Sequence, residues 1–243
     1  MTTKKIRLKH QGKEFEISFA FCPPGEYTIV NRAIMNRKNI VVQFTSGFWV
    51  QDITVSLGLY EFVYGAQYYD SGMSEMTRNY FPWTHIAFRE VQDFLTKLNR
   101  ISFSNSYKYL FDIPTVEEWE HALLCGKSSP YDMGDSEKDF GEYAWYAGNS
   151  SGVIHPSGQK KANHWGLYDM YGNLKEYCHN SLIDTNESPI LNPKKWFPQP
   201  SEPLPWMGGD YEDCLEDCKG FNVLGYNNEF VQNVGIRLIL RKE

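Results

Sequence analysis

Residues 142–177 read EYAWYAGNSSGVIHPSGQKKANHWGLYDMYGNLKEY. Turn formers, aromatics and glycines crowd this stretch, and neither a helical nor an alternating period runs through it. A chain segment of this length without a period is uncommon in a compact domain unless it is functional or internally ordered. The stretch therefore predicts a long ordered loop held together from within, and the rest of the chain divides on either side of it.

The upstream half alternates strand and helix signals. Residues 14–21 (EFEISFAF) alternate as a strand, and Cys22-Pro23-Pro24-Gly25 is a turn that hands the chain to a second strand at 27–30, so a β-hairpin is expected. Residues 44–53 form another strand candidate. Thr54 is placed to cap a helix carrying Val55, Leu59, Phe62 and Val63 on one face, with Gly65 ending it. Residues 87–100 put Phe88, Val91, Phe94, Leu95 and Leu98 on one stripe, the clearest amphipathic helix of the chain. Thr115 and Glu118 have capping-box spacing before a short helix that stops near Gly126. Beyond it, more than a hundred residues run with Gly, Asn, Pro, Asp and aromatics until a last strand at 235–240.

The chain has 243 residues, 42% of them hydrophobic and 16% aromatic, which is ample for a real core. A net charge of -6 without a basic run argues against nucleic acid as partner. The first residues, MTTKKIRLKHQGKEFEI, hold no apolar stretch long enough for a signal peptide or a membrane span. The five cysteines are odd in number and sparse for a secreted scaffold, which favours free thiols and a cytoplasmic protein.

The blocks IPTVEEWEHA, AWYAGNSSGVIHPSGQKKANHWGLYDMYGNLKEYC, WMGGDY and NVGIRLIL, in that order, resemble the formylglycine-generating-enzyme (sulfatase-modifying factor) family. PWTHIAFREVQDFLTKLN and FAFCPPGEYTIV extend the resemblance over nearly the whole chain. It implies a single domain over 1–243 of α+β class: a C-type-lectin-like fold with two main helices, small twisted antiparallel sheets and long ordered loops. Activity does not follow, because the fold carries enzymes, lectin-like receptors and variable binding proteins alike.

Three constellations carry the functional expectations. In family members the segment matching 169–176 wraps a calcium ion; carried over, the ligands are Asp169, the carbonyls of Gly172 and Leu174, and Glu176. Calcium takes about six to eight hard oxygens in flexible geometry, which suits a glycine-kinked loop between two acids. The alternative is that Asp169 and Glu176 brace the loop by hydrogen bonds alone. Lys175 replaces the family's usual aromatic and introduces a competing cation. In catalytic relatives two cysteines after the GG-aromatic motif bind copper(I) for oxygen chemistry, and soft thiolates suit that metal. Cys218 matches the second of them. Cys214 gives a C-x-x-x-C spacing one residue short of the catalytic pattern, with acidic neighbours. The competing assignment makes Cys218 a buried structural thiol near Cys178.

The third constellation lies between Trp206 and Asn228. Asp210, Tyr211, Asp213, Asp217, Asn222, Tyr226, Asn227 and Asn228 are adaptable contact residues. Variable proteins of diversity-generating retroelements, which share the fold, place ligand-facing side chains there. A solvated acidic loop is the alternative. His155, His164 and His179 are read as hydrogen-bonded fillers, and Trp145, Trp165 and Tyr168 as loop-core aromatics. The resulting expectation is a noncatalytic module binding a protein or small-molecule ligand through 206–228. The alternative is a copper-dependent oxidase acting on a cysteine of a protein substrate.

Overall fold

The structure, a computed structural model, describes residues 1–29, 40–66, 72–126, 137–179, 181–182, 189–195, 204–219, 226–227 and 232–242. Its first half runs β1 (Thr3–His10), β2 (Lys13–Cys22), β3 (Gly25–Ile29), β4 (Ile40–Phe44), β5 (Phe48–Gln51), α1 (Leu57–Tyr64), α2 (Glu75–Arg78), α3 (Phe88–Ser104), β6 (Tyr109–Asp112) and α4 (Val116–Leu124). The second half holds α5 (Glu137–Gly141), β7 (Lys175–Tyr177), β8 (Ser181–Leu182), β9 (Ile190–Leu191), β10 (Lys194–Lys195), β11 (Leu204–Met207), α6 (Leu215–Lys219), β12 (Tyr226–Asn227), β13 (Val234–Gly235) and β14 (Ile239–Lys242). Among the described residues no helix is long and apolar enough to cross a membrane.

The opening hairpin is not the expected one. β1 pairs with β2, Ile6 facing Ile17 and Leu8 facing Phe15, and Gln11 and Gly12, both at positive φ, make the two-residue turn. The strand expected at 27–30 exists as β3, but it pairs with β4 in a separate three-stranded sheet, and Val30 lies outside the described residues. Two successive prolines at 23–24 fix φ and donate no hydrogen bond, so they carry the chain off the first sheet instead of reversing it. The strand candidate at 44–53 holds the last residue of β4 and the whole of β5, Phe48–Gln51, with a bend between them that ends at Gly47. A Cβ there would sit 2.3 Å from the Phe21 ring.

The main sheet has the order β1-β2-β5-β14-β6. Against it pack α1 and α3, and Phe19, Leu59, Trp83, Phe94, Leu98 and Phe111 fill the space between. Helix α3 begins after Ala87, as its apolar stripe predicts, and buries Phe88, Val91, Phe94 and Leu98. Helix α1 starts two residues later than expected. Ser56, not Thr54, accepts the capping hydrogen bond from Leu59 N, and Gly65 closes the helix at φ 70°. The freed Thr54 is buried 3.2 Å from the Ser157 hydroxyl, so tertiary contact took it out of the cap.

Helix α4 has the expected capping box: Glu118 N donates to Thr115 Oγ1 and Thr115 N to Glu118 Oε2. Every one of its residues is buried, because it lies between the main sheet and a second layer that includes Phe140, Ala144, Leu167, Met170, Tyr171, Met207 and Cys218. That layer contains a four-stranded sheet, β12-β11-β7-β13, with β13 parallel to β7. The last strand expected at 235–240 is therefore divided between two sheets, and residues 236–238 cross from one to the other. The outer edge of β1 is covered by side chains. Tyr107 Oη accepts from Arg7 N and donates to Arg7 O, and Asn105 does the same for both backbone groups of Lys9.

Candidate functional site

The 142–177 loop is ordered by side chains that imitate backbone. Asn173 accepts from His155 N and donates to His155 O; Asn163 accepts from Trp165 N and Leu167 N and donates to Ala122 O; Asn149 accepts from Tyr146 N. These amides satisfy buried peptide groups that no ladder reaches. His155 stacks on Trp145 at 3.7 Å and Lys160 Nζ lies 3.9 Å from the same indole. The two arms of the loop touch at Gly172, where a Cβ would lie 2.1 Å from the Trp145 carbonyl oxygen. Nothing larger than glycine fits that approach.

At the loop's end a buried charge pair takes the central position. Arg237, fully buried on the crossover between β13 and β14, donates from Nε and Nη2 to Glu176 at 2.6–3.2 Å. Its remaining donors reach the carbonyls of Gln51, Asp52 and Tyr168. Trp119 Nε1 completes the Glu176 carboxylate at 2.7 Å, so each of its oxygens accepts two hydrogen bonds. That is the capacity of a carboxylate. Asp169, at φ 57°, uses Oδ2 to accept from Gly158 N, while Oδ1 is buried without a hydrogen-bond partner. Burial pushes the Asp169 carboxyl up to about 6, with Arg237 acting in the opposite sense.

These two carboxylates belong to the expected calcium set. Asp169 Oδ1 is an orphan oxygen that a cation would satisfy. Glu176 has no lone pair to spare, and the Gly172 carbonyl already accepts from Leu174 N. Among the described residues no group of three or more His, Cys, Asp and Glu is gathered to hold a metal. Of the four residues carried over from the family, Asp169 offers an open carboxylate oxygen, while the charge that balances Glu176 is a guanidinium.

Lys175 turns away from that centre. Its ammonium meets Asp210 Oδ2 at 2.6 Å and Asp213 Oδ2 at 2.7 Å. Burial works against the charge, but the two carboxylates outweigh it and raise the pKa. Asp210 Oδ1 in turn accepts from the amides of Glu212 and Asp213. Asp210 is thus buried and Asp213 half-buried, and together they pin the segment after the glycine pair onto the loop. Trp206 is half-buried, edge-on to Tyr177 at 6.4 Å. Tyr211 donates to Asn233 Oδ1 at 3.0 Å, and Asp217 is exposed. Tyr226 and Asn227 form β12 against Pro205 and Leu204, while Asn222 and Asn228 lie outside the described residues.

The cysteines are not a matched pair. All five are free thiols. Cys214 and Cys218 flank a helical turn, with Cys218 N donating to Cys214 O. Cys214 is exposed and its thiol donates to Asp217 Oδ2. Cys218 is buried beside Met207 and Cys178, its thiol aimed at the Asp210 carbonyl, and burial together with Asp213 and Asp210 pushes its pKa far up. A Cβ on Gly209 would come 2.5 Å from Cys218 Sγ, so the second glycine of the pair makes room for that sulfur. Copper(I) wants thiolates in an electropositive, accessible setting. Here one sulfur is exposed beside an acid and the other is buried near two more.

A cleft of about 480 Å³ opens where three segments meet: Leu57 at the start of α1, residues 81–85, and the loop at 152–154, with Tyr211 as one wall. His85 holds the left-handed region at φ 60° within it. Among the described residues, Tyr211 is the one expected contact residue that lines this space. Phe81, Pro82, His85, Val153 and Ile154 were not expected, and their only sequence signal is an unpaired apolar run beside turn residues.

Residues 18–242 match the family model described as the sulfatase-modifying factor enzyme 1-like domain. Treponema denticola variable protein 1 superposes with a TM-score of 0.78 over 99% of both chains at 19% identity. PvdO from Pseudomonas aeruginosa gives 0.67 over 92% of this chain and 94% of its own, at 18% identity. CarF gives 0.55 over 93% and 98%, at 17% identity. At such identities the likeness is one of fold. The chaperone protein LppX of Paenibacillus barcinonensis is 34% identical over 92 residues, a match spanning 31% of this chain and 31% of that protein.

Proposed function

The chain belongs to the sulfatase-modifying factor enzyme 1-like family, and from that premise we propose that it is a noncatalytic binding module. The C-type-lectin-like scaffold holds a rigid surface built on 206–217 and the adjoining loop, and its ligand is a protein or small molecule, not nucleic acid or membrane. The observation that carries this reading is the state of the two cysteines. Cys218 is buried among carboxylates and held as a thiol, while Cys214 is exposed four residues away. The Lys175 clamp on Asp210 and Asp213 supports it too, since a preorganised frame lowers the entropy lost on binding. Five free thiols support a cytoplasmic setting.

Copper(I) titration of the reduced protein tests the proposal. Binding without stoichiometric copper agrees with it; stoichiometric copper that Cys214→Ser abolishes would restore the oxidase. The diversified form of the module, suggested by the fold shared with Treponema denticola variable protein 1, predicts a near-copy of the 206–233 coding stretch in the neighbouring DNA, differing at adenines. Without that copy, ordinary binding stands and diversification falls.

A further inference from the structure

The cleft between α1, residues 81–85, the 152–154 loop and Tyr211 has no part in the surface expected from the sequence, apart from Tyr211 itself. We propose that it receives one aliphatic or aromatic side chain of a basic peptide segment on a partner protein. The inference rests on the binding-module reading and adds the place and the chemistry of the contact. Its volume of about 480 Å³ is that of a pocket for one bulky group with its flanking backbone. Leu57, Phe81, Pro82, Val153 and Ile154 make the walls apolar. The apolar surface continues outside it: Val153 is 53% exposed, and Tyr80, next to Phe81, is 52% exposed. Hydrophobic groups of this size, gathered at the mouth of a concave site, mark an interaction surface more often than single exposed apolar residues do.

Charge complementarity selects the flanks of the occupant. Tyr211, the wall on one side, is immobilised by its bond to Asn233, and Asn233 Nδ2 is bound to Glu212 Oε2 at 2.8 Å. Glu212, Glu216 and Asp217 are exposed on the same segment. Asp210 and Asp213 share the one Lys175 ammonium, so their surplus negative charge adds to the field of the exposed three. A chain of net charge -6 adds no general attraction for an acidic partner. Lysine or arginine beside the anchoring side chain meets that field, while the apolar walls take the anchor.

The probe is a fluorescein-labelled nonapeptide with one central phenylalanine and two lysines on each side in a glycine and serine context, followed by fluorescence anisotropy on the full chain. Saturable binding is expected to weaken at least about tenfold when phenylalanine is replaced by glycine, and by a similar factor in Val153→Asp, which alters only an exposed wall. Replacing Glu212, Glu216 and Asp217 together by Gln, Gln and Asn lowers the association rate and flattens the salt dependence. Equal binding of the glycine peptide, which needs no protein variant, reduces the contact to charge adhesion and overturns the proposal. So does a Val153→Asp protein that melts like wild type and binds unchanged. A failed peptide with no copper bound sinks the cleft assignment alone; stoichiometric copper on Cys214 sinks the binding-module reading beneath it.

Discussion

Glu176→Gln is the most searching perturbation of this fold. Glu176 and Arg237 are 1% and 0% exposed, and the carboxylate is the guanidinium's sole anionic hydrogen-bond partner. The amide keeps the shape, removes the balancing charge, and offers one oxygen where two stood, with an N–H group turned against donors from Arg237 or Trp119. Removing one partner of a buried pair costs about 3–5 kcal/mol, because a charge is left in low dielectric. In a chain this long that lowers the melting temperature by roughly 10 °C. Glu176→Gln with Arg237→Met removes the stranded charge and should recover more than half of the loss, about 2–3 kcal/mol. Urea unfolding by tryptophan fluorescence, in EDTA and in excess calcium, reads all of these states. A loss below about 1 kcal/mol, or a double mutant that is merely additive, would refute the argument. Wild-type stability that collapses in EDTA and returns with calcium would show that a metal, and not Arg237, balances the loop.

Asp169→Asn addresses the orphan oxygen. With its pKa raised from 3.8 to about 6, the folded chain binds more protons than the unfolded one between those values, so Asp169 lowers stability as pH rises from about 4 to about 6, by roughly 3 kcal/mol in full. The variant should erase that slope in unfolding measured against pH and be more stable than wild type at neutral pH; a destabilised variant there would mean that Oδ1 holds a cation. Lys175→Met leaves Asp210 buried and Asp213 partly so without their ammonium, with an expected cost of about 2–3 kcal/mol. Hydrogen exchange should show the Glu212 and Asp213 amides opening first, and unchanged protection there would contradict the clamp. Tyr107→Phe with Asn105→Ala uncovers the β1 edge; light scattering should report concentration-dependent association while stability changes by no more than about 2 kcal/mol.

The reading of the sequence was best where local chemistry is self-contained. The Thr115–Glu118 box, the α3 stripe and the Gly65 stop are satisfied within one or two turns, so each could be placed from its own residues. It failed where a partner lies far along the chain. Strand β3 was visible, but its pairing with β4 was not, because the proline pair only forbids continuation and does not name the next neighbour. Thr54 was the expected cap, but it is buried against Ser157 and Ser56 caps the helix in its place. In the site, the family resemblance implied Asp169 and Glu176 as ligands of one ion, and the guanidinium that meets Glu176, 61 positions downstream, carried no local signal.

The motif blocks alone determined the family, and with it the C-type-lectin-like fold, because close approaches such as Gly172 on Trp145 and Gly209 on Cys218 tolerate so few side chains that they leave a mark in the sequence. Which carboxylates are paired, which thiol is exposed and where the cleft opens were decided only in three dimensions. Those properties depend on desolvation and on the nearest opposite charge, and the nearest charge is set by Lys175 and Arg237 arriving from other strands.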